Sequence, residues 1–179
     1  MRNIKFIKMH GLGNDFVIID KSENEFEINK KETLKKIGSR NFGIGCDQIL
    51  IIESYDYKNA NVRIFNNDGS EAGACGNGVR CVAFYLMNKI NTNKIKIKTI
   101  SGDLDCWIEN ETCFVNMGKP IFEWIKIPLA KKVETQIIKI DHLELFCLSV
   151  GNPHGVIFFE DEKGTIHSRL NILISSNHR

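Results

Sequence analysis

The chain has 179 residues, with 24 Lys and Arg against 22 Asp and Glu, for a net charge of +2. The basic residues are scattered and not interleaved with aromatics, so the charge gives no argument for nucleic acid or an anionic membrane as a partner. A hydrophobic content of 42% and a charged content of 26% are ordinary for a globular chain of one medium domain, or one small domain and part of another.

The opening stretch, MRNIKFIKMHGLGNDF, is too polar and too interrupted for a signal peptide. No apolar run approaches the roughly 20 residues of a membrane-spanning helix. Six cysteines, at 46, 75, 81, 106, 113 and 147, form no CxxC pair, and none stands at zinc-finger spacing from a histidine. Reduced thiols in the cytoplasm are the expectation.

In chain order, Ile4–Met9 and Phe16–Asp20 read as two strands separated by a glycine-rich turn, His10–Asn14. Asn29–Ile37, with Leu34 and Ile37 three apart and Gly38 next, reads as a short helix with a glycine stop. A glycine-rich loop over Asn41–Gln48 leads to strands at Ile49–Glu53 and Asn61–Phe65. The stretch from Asn66 to Cys81 divides in two. Asn67-Asp68-Gly69 is turn chemistry. From there Val79, Val82, Ala83, Leu86, Met87 and Ile90 recur at helical spacing, predicting a helix over Asn77–Lys89.

Lys94–Ile100 sets Ile95, Ile97 and Thr99 against lysines, the alternation of a half-buried strand. Asp103–Glu109 and Cys113–Met117 predict a hairpin about Asn110-Glu111. Gly118-Lys119-Pro120 breaks the pattern and marks the expected boundary between domains 1–117 and 118–179. Further strands are expected at Gln136–Ile140, Glu144–Val150 and Val156–Phe159, before a more polar tail after Glu160. Many short strands with one strong helix place the chain in the α+β class, not in an alternating βαβ architecture.

Cys75 falls at or just before the start of the predicted helix, where unpaired N–H groups and the helix dipole favour negative charge. A lowered thiol pKa is the expectation there. A cysteine taken alone is more often a small core residue. The Gly76-Asn77-Gly78 that follows shifts the balance toward function.

Three glycine-rich loops, around Gly11, Gly43 and Gly73, each carry a side-chain amide: Asn14, Gln48, Asn66 or Asn67, and Asn77. A fourth amide-bearing loop is Gly151-Asn152-Pro153-His154. Any one asparagine beside glycine is ordinary turn vocabulary. Together these groups can both donate and accept hydrogen bonds, as a zwitterionic amino acid requires. No GxGxxG opens a helix after a strand, no GxxxxGK[ST] occurs, and the five histidines lack ligand spacing, so neither a nucleotide site nor a metal site is expected.

At this point the sequence resembles the diaminopimelate epimerases. The matching stretches are Lys8–Phe16, Gly43–Gln48, Arg63–Glu71, Cys75–Cys81 and Gly151–His154, in family order across most of the chain. The resemblance implies two pseudo-symmetric domains, each a curled sheet around a central helix, with the second incomplete here.

It also implies cofactor-independent interconversion of LL- and meso-diaminopimelate, in lysine and peptidoglycan synthesis. A pair of cysteines does the work, one removing the α-proton and the other returning a proton to the opposite face. Cys75 matches the first cysteine, and His154 matches a residue that tunes the thiol. Asn14, Gln48, Asn66, Gly76, Asn77 and Asn152 match substrate contacts. The implied partner is the small-molecule substrate, with no nucleic acid and no membrane, and a homodimer left open.

The family's second cysteine lies in a later Ala-Cys-Gly-Thr/Ser-Gly motif, preceded by Glu-Arg, and neither appears in this sequence. The expectation is a C-terminally truncated member whose own activity is uncertain. Cys81, six residues along the same helix, is expected to point away from Cys75 and to pack in the core, as are Cys46, Cys106, Cys113 and Cys147. The competing expectations are a related cofactor-free isomerase, of the proline racemase or phenazine type, and a non-catalytic remnant that binds a ligand or partner.

Overall fold

In the computed structural model of the chain the described residues are 3–24, 30–127, 129–140, 143–161 and 165–170. The expected helix start at Asn29, together with His142, His178 and the end of the polar tail, lies outside them. The chain divides into two compact units, Met1–Met117 and Gly118–Arg179.

In the first unit eight strands form one mixed sheet: β1 (Ile7–Gly11), β2 (Asn14–Asp20), β3 (Gln48–Tyr55), β4 (Asn59–Asn66), β5 (Glu71–Ala72), β6 (Lys94–Thr99), β7 (Gly102–Glu109) and β8 (Thr112–Asn116). Their order is β1-β2-β3-β4-β6-β7-β8, with β5 paired to β4. The β2–β3 and β4–β6 pairs are parallel. Two helices, α1 (Lys31–Gly38) and α2 (Gly76–Lys89), cover the sheet.

Alternation along the strands shows why both helices are needed. Phe16, Ile18, Leu50, Ile52, Val62 and Ile64 pack with Val79, Val82, Leu86 and Met87 of α2. The intervening Val17, Ile19, Ile49 and Ile51 pack with Leu34 and Ile37 of α1. β2 and β3 are therefore unbroken apolar runs because both their faces are covered. β6 is covered on one face only, so Ile95 and Ile97 are buried between its lysines. Since α2 touches β1 and β8 as well as β2, β3, β6 and β7, the sheet curls around this helix.

The second unit holds an antiparallel sheet of β9 (Ile138–Ile140), β10 (Leu143–Ser149), β11 (Pro153–Glu160) and β12 (Ile166–Leu170), in the order β12-β11-β10-β9. Ile127, Leu145 and Cys147 form its small core. Its helical element among the described residues is a single 3-10 turn, Trp124–Lys126. No helix among the described residues is long and apolar enough to cross a membrane.

The structure differs from the expectation at three places. The turn between the first two strands is only Leu12-Gly13, both at positive φ (+53° and +90°), with Gly11 already paired to Asn14. Two such residues match the strand twist, so no longer turn is needed. β5 falls inside a stretch read as turn, and β12 inside the polar tail. Both are strands because β4 and β11 lie beside them. The predicted hairpin at Asn110-Glu111 is present, with both residues at positive φ.

Cys46, Cys81, Cys106 and Cys147 are buried and Cys113 is half-buried, in keeping with core packing. Cys81 is nevertheless within electrostatic range of Cys75. Its thiol is pushed up to about 11, chiefly by burial, with Cys75 and Cys113 adding to the rise. Burial likewise pushes the Cys106 thiol up to about 12.

An unfolded thiol titrates near 8.5, so the folded chain holds these protons more tightly. The resulting stabilisation is complete below about pH 8.5 and is lost as pH rises toward 12. Melting temperatures measured from pH 7 upward are expected to fall above pH 9, and Cys106→Val is expected to flatten that fall. An unchanged slope in the variant would remove Cys106 from the account.

Candidate active site

Cys75 is the N-cap of α2, in extended backbone (φ −150°, ψ 97°). Its carbonyl accepts the first helical hydrogen bond, from Val79 N–H at 2.8 Å, and its Sγ accepts from Gly78 N–H at 3.3 Å. A Cβ at Gly78 would stand 2.9 Å from Leu50 Cδ2, so glycine there lets the start of α2 settle against β3. The expectation of a lowered pKa is overturned. Burial raises the Cys75 thiol and outweighs the N–H groups of Gly78 and Asn77 and the charge of Arg80, all of which lower it. A helix N-terminus favours the thiolate, but removing that anion from water costs more.

Strand register gathers the amides at this end of α2. Asn14 opens β2, Gln48 opens β3 and Asn66 closes β4, with Gln48 directly opposite Asn66. Asn77 Nδ2 donates to Asn14 Oδ1 at 3.1 Å, and Gln48 Nε2 donates to Asn66 Oδ1 at 3.1 Å. Of the two alternatives at that turn, it is Asn66 that joins the cluster, while Asn67 is exposed. Gly76 begins α2 beside Asn77.

The structure adds charged residues inside or beside the same motifs. Asp47 Oδ2 accepts from Asn14 Nδ2 at 3.2 Å and from Asp15 N–H at 3.1 Å. Arg40 bridges Asp15 and Asp47, at 2.7 and 2.8 Å. The Arg40 guanidinium, together with Lys8, holds the Asp15 carboxyl well below the usual range, against a partial opposing effect of burial. Arg80 donates to Asn77 Oδ1. Ser70 links Asn66 to Asp68, at 3.0 and 2.5 Å. The signal in the sequence is a charged residue inside or within two positions of each glycine-rich loop, Asp15, Asp47 and Arg80.

Asn152 and His154 lie in the second unit, on the β10–β11 connection and the start of β11. His154 Nε2 is 2.9 Å from Asn152 Oδ1, and since that oxygen only accepts, the ring nitrogen donates. Among the described residues no group of three or more His, Cys, Asp or Glu could hold a metal ion. A separate open cleft of about 820 Å³, lined in part by Lys58, Lys94, Lys96 and Trp107, holds none of the candidate residues.

The family model described as diaminopimelate epimerase matches residues 6–123, a span that includes Cys75 and the amide cluster. The chain belongs to the diaminopimelate epimerase family. It is 43% identical over 169 residues to the diaminopimelate epimerase of Pelagibacter ubique (strain HTCC1062), covering 89% of this chain and 61% of that one. It is 40% identical over 166 residues to that of Carboxydothermus hydrogenoformans, covering 88% and 61%. The chain thus spans about three fifths of the length of the curated epimerases it matches.

Among solved structures it is similar to a probable proline racemase from Agrobacterium radiobacter K84, with a TM-score of 0.63, 9% identity, and coverage of 96% of this chain and 71% of that one. A hydroxyproline epimerase from Agrobacterium vitis, described with bound trans-4-hydroxy-L-proline, gives 0.60 at 10% identity, covering 97% and 72%. At such identities these two show the shared α+β epimerase fold.

Proposed function

We propose that the chain carries the first thiol of a cofactor-independent amino-acid epimerase that interconverts LL- and meso-diaminopimelate, a step of lysine and peptidoglycan synthesis. The observation that carries this reading is Cys75 capping α2 through Gly78 N–H, with the amides of Asn14 and Asn77 joined at the same helix end. Cys75, as thiolate, takes the α-proton: the C–H bond breaks, an S–H bond forms, and the electron pair stays on the α-carbon. Inversion then needs a thiol on the opposite face to return a proton. The helix N-terminus at Gly76 and Asn77 suits the substrate carboxylate. Asn14, Gln48 and Asn66 supply further contacts, and by the family resemblance Asn152 matches another substrate contact and His154 a residue that tunes the thiol.

The test is to incubate the chain with LL-diaminopimelate in heavy water, following deuterium uptake at the α-carbon and the LL/meso ratio. Proline and trans-4-hydroxy-L-proline serve as comparison substrates. Deuterium uptake from diaminopimelate that Cys75→Ala abolishes is the expected result. Uptake without inversion would mark a working half-site, and uptake with inversion a second acid supplied by this chain or a second copy. Uptake from proline in place of diaminopimelate would move the reading to the racemases, and no uptake from any of them would overturn it for this chain.

A further inference from the structure

Two hydrogen-bond chains run into the Cys75 end of the first unit, and each ends on a group that allows one proton direction only. In the first, Arg80 donates to Asn77 Oδ1, Asn77 Nδ2 donates to Asn14 Oδ1 (3.1 Å), and Asn14 Nδ2 donates to Asp47 Oδ2 (3.2 Å). A guanidinium only donates and an ionised carboxylate only accepts. Neither asparagine can turn its amide over without setting N–H against N–H or oxygen against oxygen. The capacity left on both is a second amide N–H.

In the other chain Ser70 N–H and Oγ donate to Asp68 Oδ1 (2.8 and 2.5 Å), Asn66 Nδ2 donates to Ser70 Oγ (3.0 Å), and Gln48 Nε2 donates to Asn66 Oδ1 (3.1 Å). A carboxylate again sets the direction. Gln48 and Asn66 also keep a second amide N–H each, but here an amide oxygen is left over as well: Gln48 Oε1 has no hydrogen-bond partner among the described residues, whereas Asn14 Oδ1 and Asn77 Oδ1 each already accept one.

We propose that Asp47 and Ser70 are positioning residues that give the two amide pairs opposite polarity, so that Asn14 and Asn77 offer N–H groups to a carboxylate and Gln48 offers a carbonyl oxygen to an ammonium. The proposal rests on the reading of the chain as an amino-acid epimerase. An amide free to turn over would accept either end of a zwitterion. Amides held by Asp47 and Ser70 accept one orientation, and a single orientation keeps one α-hydrogen toward Cys75. Arg40 keeps Asp47 in place from the far side, through its 2.8 Å contact with Oδ1. Among the described residues Ser70 touches the cluster only through Asn66, which makes it the cleaner residue to change.

The test begins on the ligand-free chain, labelled with 15N, by measuring solvent exchange of side-chain amide protons. Asn14, Asn77 and Gln48 are expected to exchange more slowly than asparagine and glutamine in an unstructured peptide. Ser70→Ala is expected to speed Gln48 by about tenfold, the worth of one hydrogen bond, leaving Asn14 and Asn77 unchanged. Ser70→Thr, which keeps the hydroxyl, restores the slow rate. Asp47→Ala does the reverse, releasing Asn14 and Asn77 and sparing Gln48. Gln48 exchange that is indifferent to Ser70→Ala would overturn the proposal.

The second arm titrates diaminopimelate. Ser70→Ala is expected to weaken binding about tenfold without moving the ultraviolet titration of the Cys75 thiol. Unchanged binding with a released Gln48 would also overturn the proposal. Slow amides in a wild-type chain that binds another α-amino acid but not diaminopimelate would support the polarity and remove the substrate reading. Slow amides with no affinity for any α-amino acid would overturn both.

Discussion

Cys75→Ala is expected to lower α-proton exchange of diaminopimelate by about 10²–10⁴-fold, the usual worth of a positioned general base. The geometry behind this is the seat of Cys75 at the N-cap of α2, with the amides of Asn14 and Asn77 at the same helix end. Burial holds the thiol above its ordinary pKa, so the resting chain carries it protonated at neutral pH. Exchange needs the thiolate. The rate is therefore expected to rise about tenfold per pH unit through the neutral and mildly alkaline range, then level off above the raised pKa. Arg80, whose charge favours the thiolate, sharpens the prediction: Arg80→Met moves the plateau to higher pH. Cys147→Ala, in the core of the second unit, serves as the control and leaves exchange unchanged. A rate that is flat between pH 7 and 9 would mean that the thiolate already exists and that burial does not dominate at Cys75.

The largest effect on stability is expected at Gly43. The loop after α1 folds back onto that helix, with Gly43 N–H on Ser39 O (2.9 Å), Gly45 N–H on Ile37 O (3.0 Å) and Cys46 N–H on Gly38 O (3.2 Å). These bonds satisfy the last carbonyls of α1 and bring the backbone close enough that a Cβ at Gly43 would stand 1.8 Å from Lys36 O. The obstruction is backbone, so it moves only if the loop lets go. Gly43→Ala is expected to cost about 3 kcal/mol in urea unfolding, at the upper end of what overpacking costs. It should also lower exchange activity, since the same loop ends on Asp47 and Gln48.

Gly13 provides the contrast. Nothing lies within 4 Å of a Cβ there, but its φ is +90°. Gly13→Ala is expected to cost only about 1 kcal/mol, the conformational penalty of an L-residue at positive φ. Equal costs at the two glycines would show that the close approach to Lys36 carries no weight.

Much of this could be read directly from the residues. The stripe from Val79 to Ile90 has one face to bury and gives α2. Ile95 and Ile97 between lysines give a strand with one wet face, and Asn110-Glu111 gives a two-residue hairpin turn. Cys75 was placed at a helix start by its neighbours alone. Each of these is a local property, repeated over a few residues, and local sterics and hydrophobic periodicity set it. β5 and β12 have no such pattern, and the strand beside each supplies the reason it is extended.

What the sequence determined by itself is the kind of chemistry on offer: a thiol at a helix cap, amides in glycine-rich loops, and motifs in the order of one family. What only the tertiary structure decided is the state of those groups. The direction of the Cys75 pKa depends on how much water the packing removes, and neighbours along the chain do not reveal that. The orientation of Asn14, Asn77 and Gln48 depends on Asp47, Arg80 and Ser70. Asn14 and Asn77 are 63 residues apart and 3.1 Å from hydrogen-bond donor to acceptor. Desolvation and hydrogen-bond direction are set by what surrounds a group in space, so they appear only once the sheet has curled around α2.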